Sequence, residues 1–207
     1  MNYLYWQEIS HFLNDIDKEK ILFEKSSMNT EAMENTRKKM TDLVDVLKSS
    51  LEQRMDKYHA SLIIFPIVAA IDEKMQGYDY NSNKSKWMPL QKDFYAAYNA
   101  GEIFFKSLDE ILDDPNIPNI VYQVNYTILK RGFQGKYKDS KTQINKYLDM
   151  LKDKIPRTSQ NEIKATISKI PVVQPKKTWL KKWHCYSFSI AMAIATFGIL
   201  TLLAHFS

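Results

Sequence analysis

LIIFPIVAAIDEKM, residues 62–75, is the most apolar stretch of the chain outside its tail. It is too short to cross a bilayer, which takes about 20 apolar residues, so it reads as the central helix of a helical core. Pro66 lies inside the run, so the helix either starts near that residue or kinks there. The acidic pair Asp72-Glu73 closes it. Asp72 falls on the apolar stripe Phe65, Val68, Asp72, Met75 and is therefore expected to be partly buried. A buried carboxylate needs a partner, and Arg131 and Lys136 are the expected candidates.

Helical periodicity continues on both sides. Upstream, Leu4, Ile9, Phe12, Leu13 and Ile16 predict an amphipathic helix from Tyr3 to about Lys25. A polar run, Ser26 to Thr30, breaks it and caps a second helix over 31–58, which either projects as a coiled-coil arm or packs in a bundle. Downstream, the polar stretch 77–86 reads as a loop. Trp87, Leu90, Phe94 and Tyr98 then share one helical face. Phe104, Leu108, Ile111 and Leu112 mark the next helix, which Asp113-Asp114-Pro115 ends. Further helices follow over 120–128 and 144–151, with a last short one at 163–170. Strand-like alternation is absent, so the expected fold class is all-α. The expected division is a helical domain over 1–170, a Pro/Lys-rich linker over 171–185 and an anchor over 186–206.

From Cys185 to Ser207 there is no Asp, Glu, Lys or Arg. A helix over Tyr186–Phe206 would rise about 32 Å, close to the hydrocarbon thickness of a bilayer. Lys176, Lys177, Lys181 and Lys182 precede it, interleaved with Trp179 and Trp183. Lysines hold their side of a span in the cytoplasm and contact anionic lipid, and tryptophans suit the headgroup layer. The expectation is a cytoplasmic domain hung from a membrane by its tail. Ser187, Ala191 and Ala195 recur every four residues and form a small-residue strip suited to helix packing or homodimerisation through the anchor.

Composition narrows the function. Net charge is +5, part of it in the juxtamembrane lysines, and there is no basic stripe interleaved with aromatics elsewhere, which disfavours nucleic acid. One cysteine, Cys185, excludes a disulfide within the chain. The four histidines are scattered without metal-ligand spacing, so neither a metal nor a cofactor is expected. Adjacent residues on a helix point about 100° apart, so Asp72 and Glu73 cannot form a facing acid/base dyad. Structural pairing or loop capping is the first reading for them, partner binding the second and catalysis the last. Gly132-Phe133-Gln134-Gly135-Lys136-Tyr137 lacks the phosphate-loop pattern. It reads as a helix C-cap and turn, in which each glycine supplies positive φ and Phe133 and Tyr137 plug the core.

An apolar helix ending in Asp72-Glu73, then Trp87, Gly101-Glu102-Ile103-Phe104-Phe105, Asp114-Pro115 and the Gly132–Tyr137 turn, all ahead of a C-terminal anchor, resembles the DotU/IcmH/TssL family. The motifs cover about Leu62 to Tyr137. This chain has Ala100 where family members usually carry a first of two glycines, and Pro66 within the first motif helix. The resemblance implies a non-enzymatic inner-membrane component of a type VI secretion system, or alternatively of a type IVB system. It implies a hook-like pair of helical bundles working as a scaffold beside the large IcmF/TssM membrane protein and docking baseplate components. It also implies that Asp72, Glu73, Trp87, Gly101, Glu102, Phe105, Gly132, Phe133, Gly135 and Tyr137 form a motif core or docking surface. An unrelated tail-anchored helical adaptor is the rival reading.

Overall fold

Periodic apolar spacing and only five glycines favour helices, and the chain folds accordingly. The structure is a computed structural model that describes residues 2–26, 29–79 and 86–168. These all belong to one compact unit, which ends at Ile170. They form α1 (Asn2–Lys25), α2 (Thr30–Glu52), α3 (Lys57–Asp79), α4 (Leu90–Tyr95), α5 (Ala100–Asp113), α6 (Asn119–Lys130), a 3-10 turn (Gly135–Tyr137), α7 (Lys141–Lys154) and α8 (Arg157–Ser168). No strand occurs among the described residues. The linker, the lysines at 176–182, the strip at Ser187, Ala191 and Ala195 and the proposed span 186–206 lie outside them. Within them, no helix is long and apolar enough to cross a membrane.

α3 is the centre, packed against α2, α4, α5 and α6. Every residue from Leu62 to Asp72 is buried, so this helix has no solvent face along that length. It runs through Pro66 rather than starting there. Proline lacks the N–H that would bond the carbonyl four residues back. The orphaned acceptor is Leu62 O, and the buried Asn125 side chain of α6 donates to it at 3.4 Å. A side-chain amide on a neighbouring helix thus occupies the position that Pro66 leaves without a donor.

Two boundaries differ from the periodic reading. The second helix stops at Glu52, not near residue 58, because Asp56 caps the next helix by accepting from His59 N at 3.0 Å. Tyr58, at the expected end of the second helix, is instead 54% exposed at the start of α3. Since α2 packs on both α1 and α3, it is a bundle helix and not a projecting arm. The helix expected across Trp87–Tyr98 shrinks to six residues. Pro89, at φ −60° and ψ 133°, holds the preceding backbone extended, and Ala96 ends the helix in a left-handed conformation. Trp87 therefore reaches the core from an extended segment, while Tyr98 is 75% exposed.

α1 is tied to the end of α6 by an ion pair. Arg131 donates to Asp17 Oδ2 at 2.8 Å and to Leu13 O at 3.2 Å. Burial lowers the Arg131 pKa, and the Asp17 charge opposes that shift. Lys74 of α3 lies 3.9 Å from the other Asp17 oxygen.

Candidate functional site

Four of the five motif segments converge where the end of α3 meets the loops before α4, before α5 and after α6, while Asp114-Pro115 lies at the far end of α5. Asp72 and Glu73 are adjacent, and their roughly 100° separation around the helix sends them to different loops.

Asp72 is 1% exposed. Its Oδ1 accepts from the Trp87 indole N–H at 2.8 Å and from Leu90 N at 2.7 Å, and its Oδ2 accepts from Gln91 N at 2.8 Å. Leu90 and Gln91 are the first two residues of α4, whose leading N–H groups have no partner inside the helix. Pro89, in the N-cap position, makes no side-chain cap hydrogen bond, so Asp72 supplies the cap from another helix. Burial pushes the Asp72 carboxyl above the usual aspartate range. Donation from Gln91, Trp87 and Leu90, and the charge of Arg37, pull it back. The expected partners were Arg131 and Lys136, and neither is used. Arg131 is committed to Asp17, and Lys136 lies over the rings of Tyr137 and Phe105. Three directed N–H groups hold this carboxylate without a salt bridge.

The glycine turn instead falls to Glu73, which is half-buried. Its two carboxylate oxygens accept from Gln134 N at 2.9 Å and Gly135 N at 2.6 Å. Two consecutive amides can aim at one carboxylate because of the local backbone: Gly132 has φ 96° and Gly135 φ 49°, the left-handed region where glycine is at home.

Gly101 joins the two halves. A Cβ built on it would lie 2.9 Å from Gly135 Cα and 3.1 Å from Lys136 N, so only hydrogen fits between α5 and the turn. From Gly135 the reciprocal Cβ would meet Gly101 Cα at 3.0 Å and the Phe105 ring at 3.1 Å. Phe105 is completely buried. Its ring stands edge-on to Phe104 at 5.0 Å and to Tyr137 at 4.6 Å, and Phe133 packs on Phe104 at 4.7 Å.

Glu102 does not join this unit. It is exposed, and it accepts from the Asn99 side-chain amide at 3.2 Å. The residue that does link α4 to α5 is Gln91. Its amide N–H goes to Asp72, and its buried side-chain oxygen accepts from Ala100 N at 2.8 Å. Gln91 follows Leu90 with no distinguishing pattern, so periodicity could not single it out. Asp17 did carry a signal. It continues the Ile9, Leu13 spacing on the apolar face of α1, and an acid there calls for a buried cation.

No cluster of three or more His, Cys, Asp or Glu suited to a metal ion occurs among the described residues. The chemistry of the site is hydrogen-bond satisfaction: two carboxylates, an amide side chain and a glycine contact hold three loops against one buried helix. This arrangement defines an all-helical domain whose buried and half-buried polar residues order loops.

The family model for the type VI secretion system protein DotU matches residues 21–205, and the chain belongs to that family. Among solved structures, DotU from Francisella novicida is similar at a TM-score of 0.66 with 26% identity, covering 72% of this chain and 98% of that one. No curated protein matches the chain.

Proposed function

We propose that this chain is a non-enzymatic scaffold of a type VI secretion system. The residues 186–206 hold it in the bacterial inner membrane, and its helical domain lies in the cytoplasm. In this reading the domain, a hook-like pair of bundles, assembles with an IcmF/TssM-like membrane subunit and docks baseplate components. The observation that carries the reading is what Asp72 and Glu73 do. Every donor they accept from belongs to a loop or a helix start, so both carboxylates shape a surface. An acid or base poised for catalysis needs a lone pair or proton free to meet a substrate.

Family membership supports secretion-system partners, and the family match extends to residue 205, through the uncharged tail. The strip Ser187, Ala191, Ala195 is the proposed contact with other spans. Deleting residues 186–207 tests the anchor. The truncated chain is expected in the soluble fraction after alkaline extraction of membranes, with helical content kept. Retention in the pellet would mean that another part of the chain holds it there. Co-purification of the full chain with the large membrane subunit tests the scaffold role, and absence of that association would overturn it.

A further inference from the structure

The loop between α6 and α7 carries more positive charge than its structural role uses. Lys130, Lys136, Lys138 and Lys141 are all exposed, and the acids facing them are Asp139 in the same stretch and the half-buried Glu73, whose carboxylate sits on the Gln134 and Gly135 amides, which leaves an excess of positive charge. Among the described residues none of these four lysines forms an ion pair, whereas neighbouring Arg131 is consumed by Asp17. Lys130 stands over the Tyr126 ring, and Lys136 over Tyr137 and Phe105, so two of the four ammonium groups are held in place by aromatic faces. Lys141 opens α7, a 14-residue helix with no acidic residue in its first turn. The positive end of the helix dipole therefore adds to the patch instead of relieving it.

The opposite end of α6 is different. The Tyr122 hydroxyl donates to Ile111 O and Asp114 O, which fixes the acidic end of α5, with Asp113 and Asp114, beside the start of α6, while Asp109 further back accepts from the Tyr147 hydroxyl of α7 at 2.7 Å. A helix of 12 residues, the length of α6, rises about 18 Å. That exceeds the screening length of about 8 Å at physiological salt, so the acids at one end do not neutralise the lysines at the other.

We propose that this basic turn rests on the anionic lipid headgroups of the membrane that anchors the chain, and so sets which end of the domain faces the bilayer. The proposal rests on the tail-anchor reading. The stretch 169–185 between α8 and the proposed span reaches at most about 60 Å when fully extended, so an anchored domain stays within a few nanometres of the lipid surface. Lys176, Lys177, Lys181 and Lys182 give that stretch the same sign of charge. The two basic regions would then engage one surface, the second contact being favoured by the high effective concentration that the tether imposes.

The test is amine labelling of the full chain in nanodiscs of pure phosphatidylcholine and in nanodiscs with about a third phosphatidylglycerol, read lysine by lysine. The expected result is at least threefold slower labelling of Lys130, Lys136, Lys138 and Lys141 on the anionic discs. The exposed Lys57, Lys152 and Lys154 should be unchanged, and high salt should remove the difference. In the Lys138→Glu, Lys141→Glu variant, which alters two exposed side chains that form no ion pair among the described residues, Lys130 and Lys136 should lose their protection. Equal labelling on both discs, with the chain retained in them, overturns the proposal, leaves the anchor intact and points to an acidic protein partner for the turn. Uniform slowing of all lysines also overturns it, because the effect would then be a general one of the lipid charge. A chain that enters neither disc overturns the anchor and this proposal with it.

Discussion

Asp72 and Glu73 are neighbours with the same charge and the same task, and they differ in what surrounds them. Asp72 is closed off from water and holds an indole and two backbone amides at the start of α4. Glu73 is half-buried and holds two amides of a glycine turn. The donors left behind by a lost carboxylate are costly in proportion to their isolation from water. The two positions should therefore respond unequally to the same substitution, even though a contact diagram would draw them alike.

Asp72→Ala should have the largest effect. It strands three donors in the core, and at about 1–3 kcal/mol for each unsatisfied group, partly offset by relief of the buried charge, the loss should be about 3 kcal/mol. At about 2–4 °C per kcal/mol for a domain of this size, the melting temperature should fall by about 10 °C. Gly101→Ala comes next. Its methyl would press on the backbone of Gly135 and Lys136, which cannot swing aside as a side chain can, so overpacking of about 2 kcal/mol is expected in denaturant unfolding. Glu73→Ala should cost about 1 kcal/mol, since water can reach the freed amides of Gln134 and Gly135. Equal losses at Asp72 and Glu73 would break the comparison, because burial would then not be what separates them.

The smallest expected effect is on pH dependence. Burial, the leading cause, raises the Asp72 pKa in the folded state. For a carboxyl raised on folding, the native state holds its proton more tightly than the unfolded chain does. Its contribution to stability is then fully present below the unfolded value of about 3.9 and lost as pH rises through the folded value. The stability difference between the native chain and Asp72→Asn should accordingly shrink as pH rises over that window and flatten above it. A difference that instead grew with pH would mean that the three donors outweigh desolvation.

Most of the fold was legible because buried helices leave a period in the sequence. The stretch 62–75 announced the central helix, and the glycines at 132 and 135 announced a turn with positive φ, which the backbone has. What escaped were partnerships between segments far apart in the chain. Asp72 was legible as a buried acid needing donors, but charge alone suggested Arg131 or Lys136, and backbone amides have no letter in a sequence. Glu102 was grouped with the site because it follows Gly101, yet the residue facing the turn is the glycine itself. Pro66 could be read as a break because its cost is local. Its remedy, Asn125 on another helix, comes from tertiary packing.

The central claim is that the motif residues order a surface for assembly. The measurement that tests it most directly pairs the melting temperature of full-length Asp72→Ala with its pull-down of the large membrane subunit. A loop-ordering residue predicts that both fall together, and that the exposed Glu102→Ala changes neither stability by more than about 0.5 kcal/mol nor the melting curve's shape. Normal melting and normal pull-down in Asp72→Ala, with secretion abolished, would contradict the claim and mark Asp72 as a residue of chemistry.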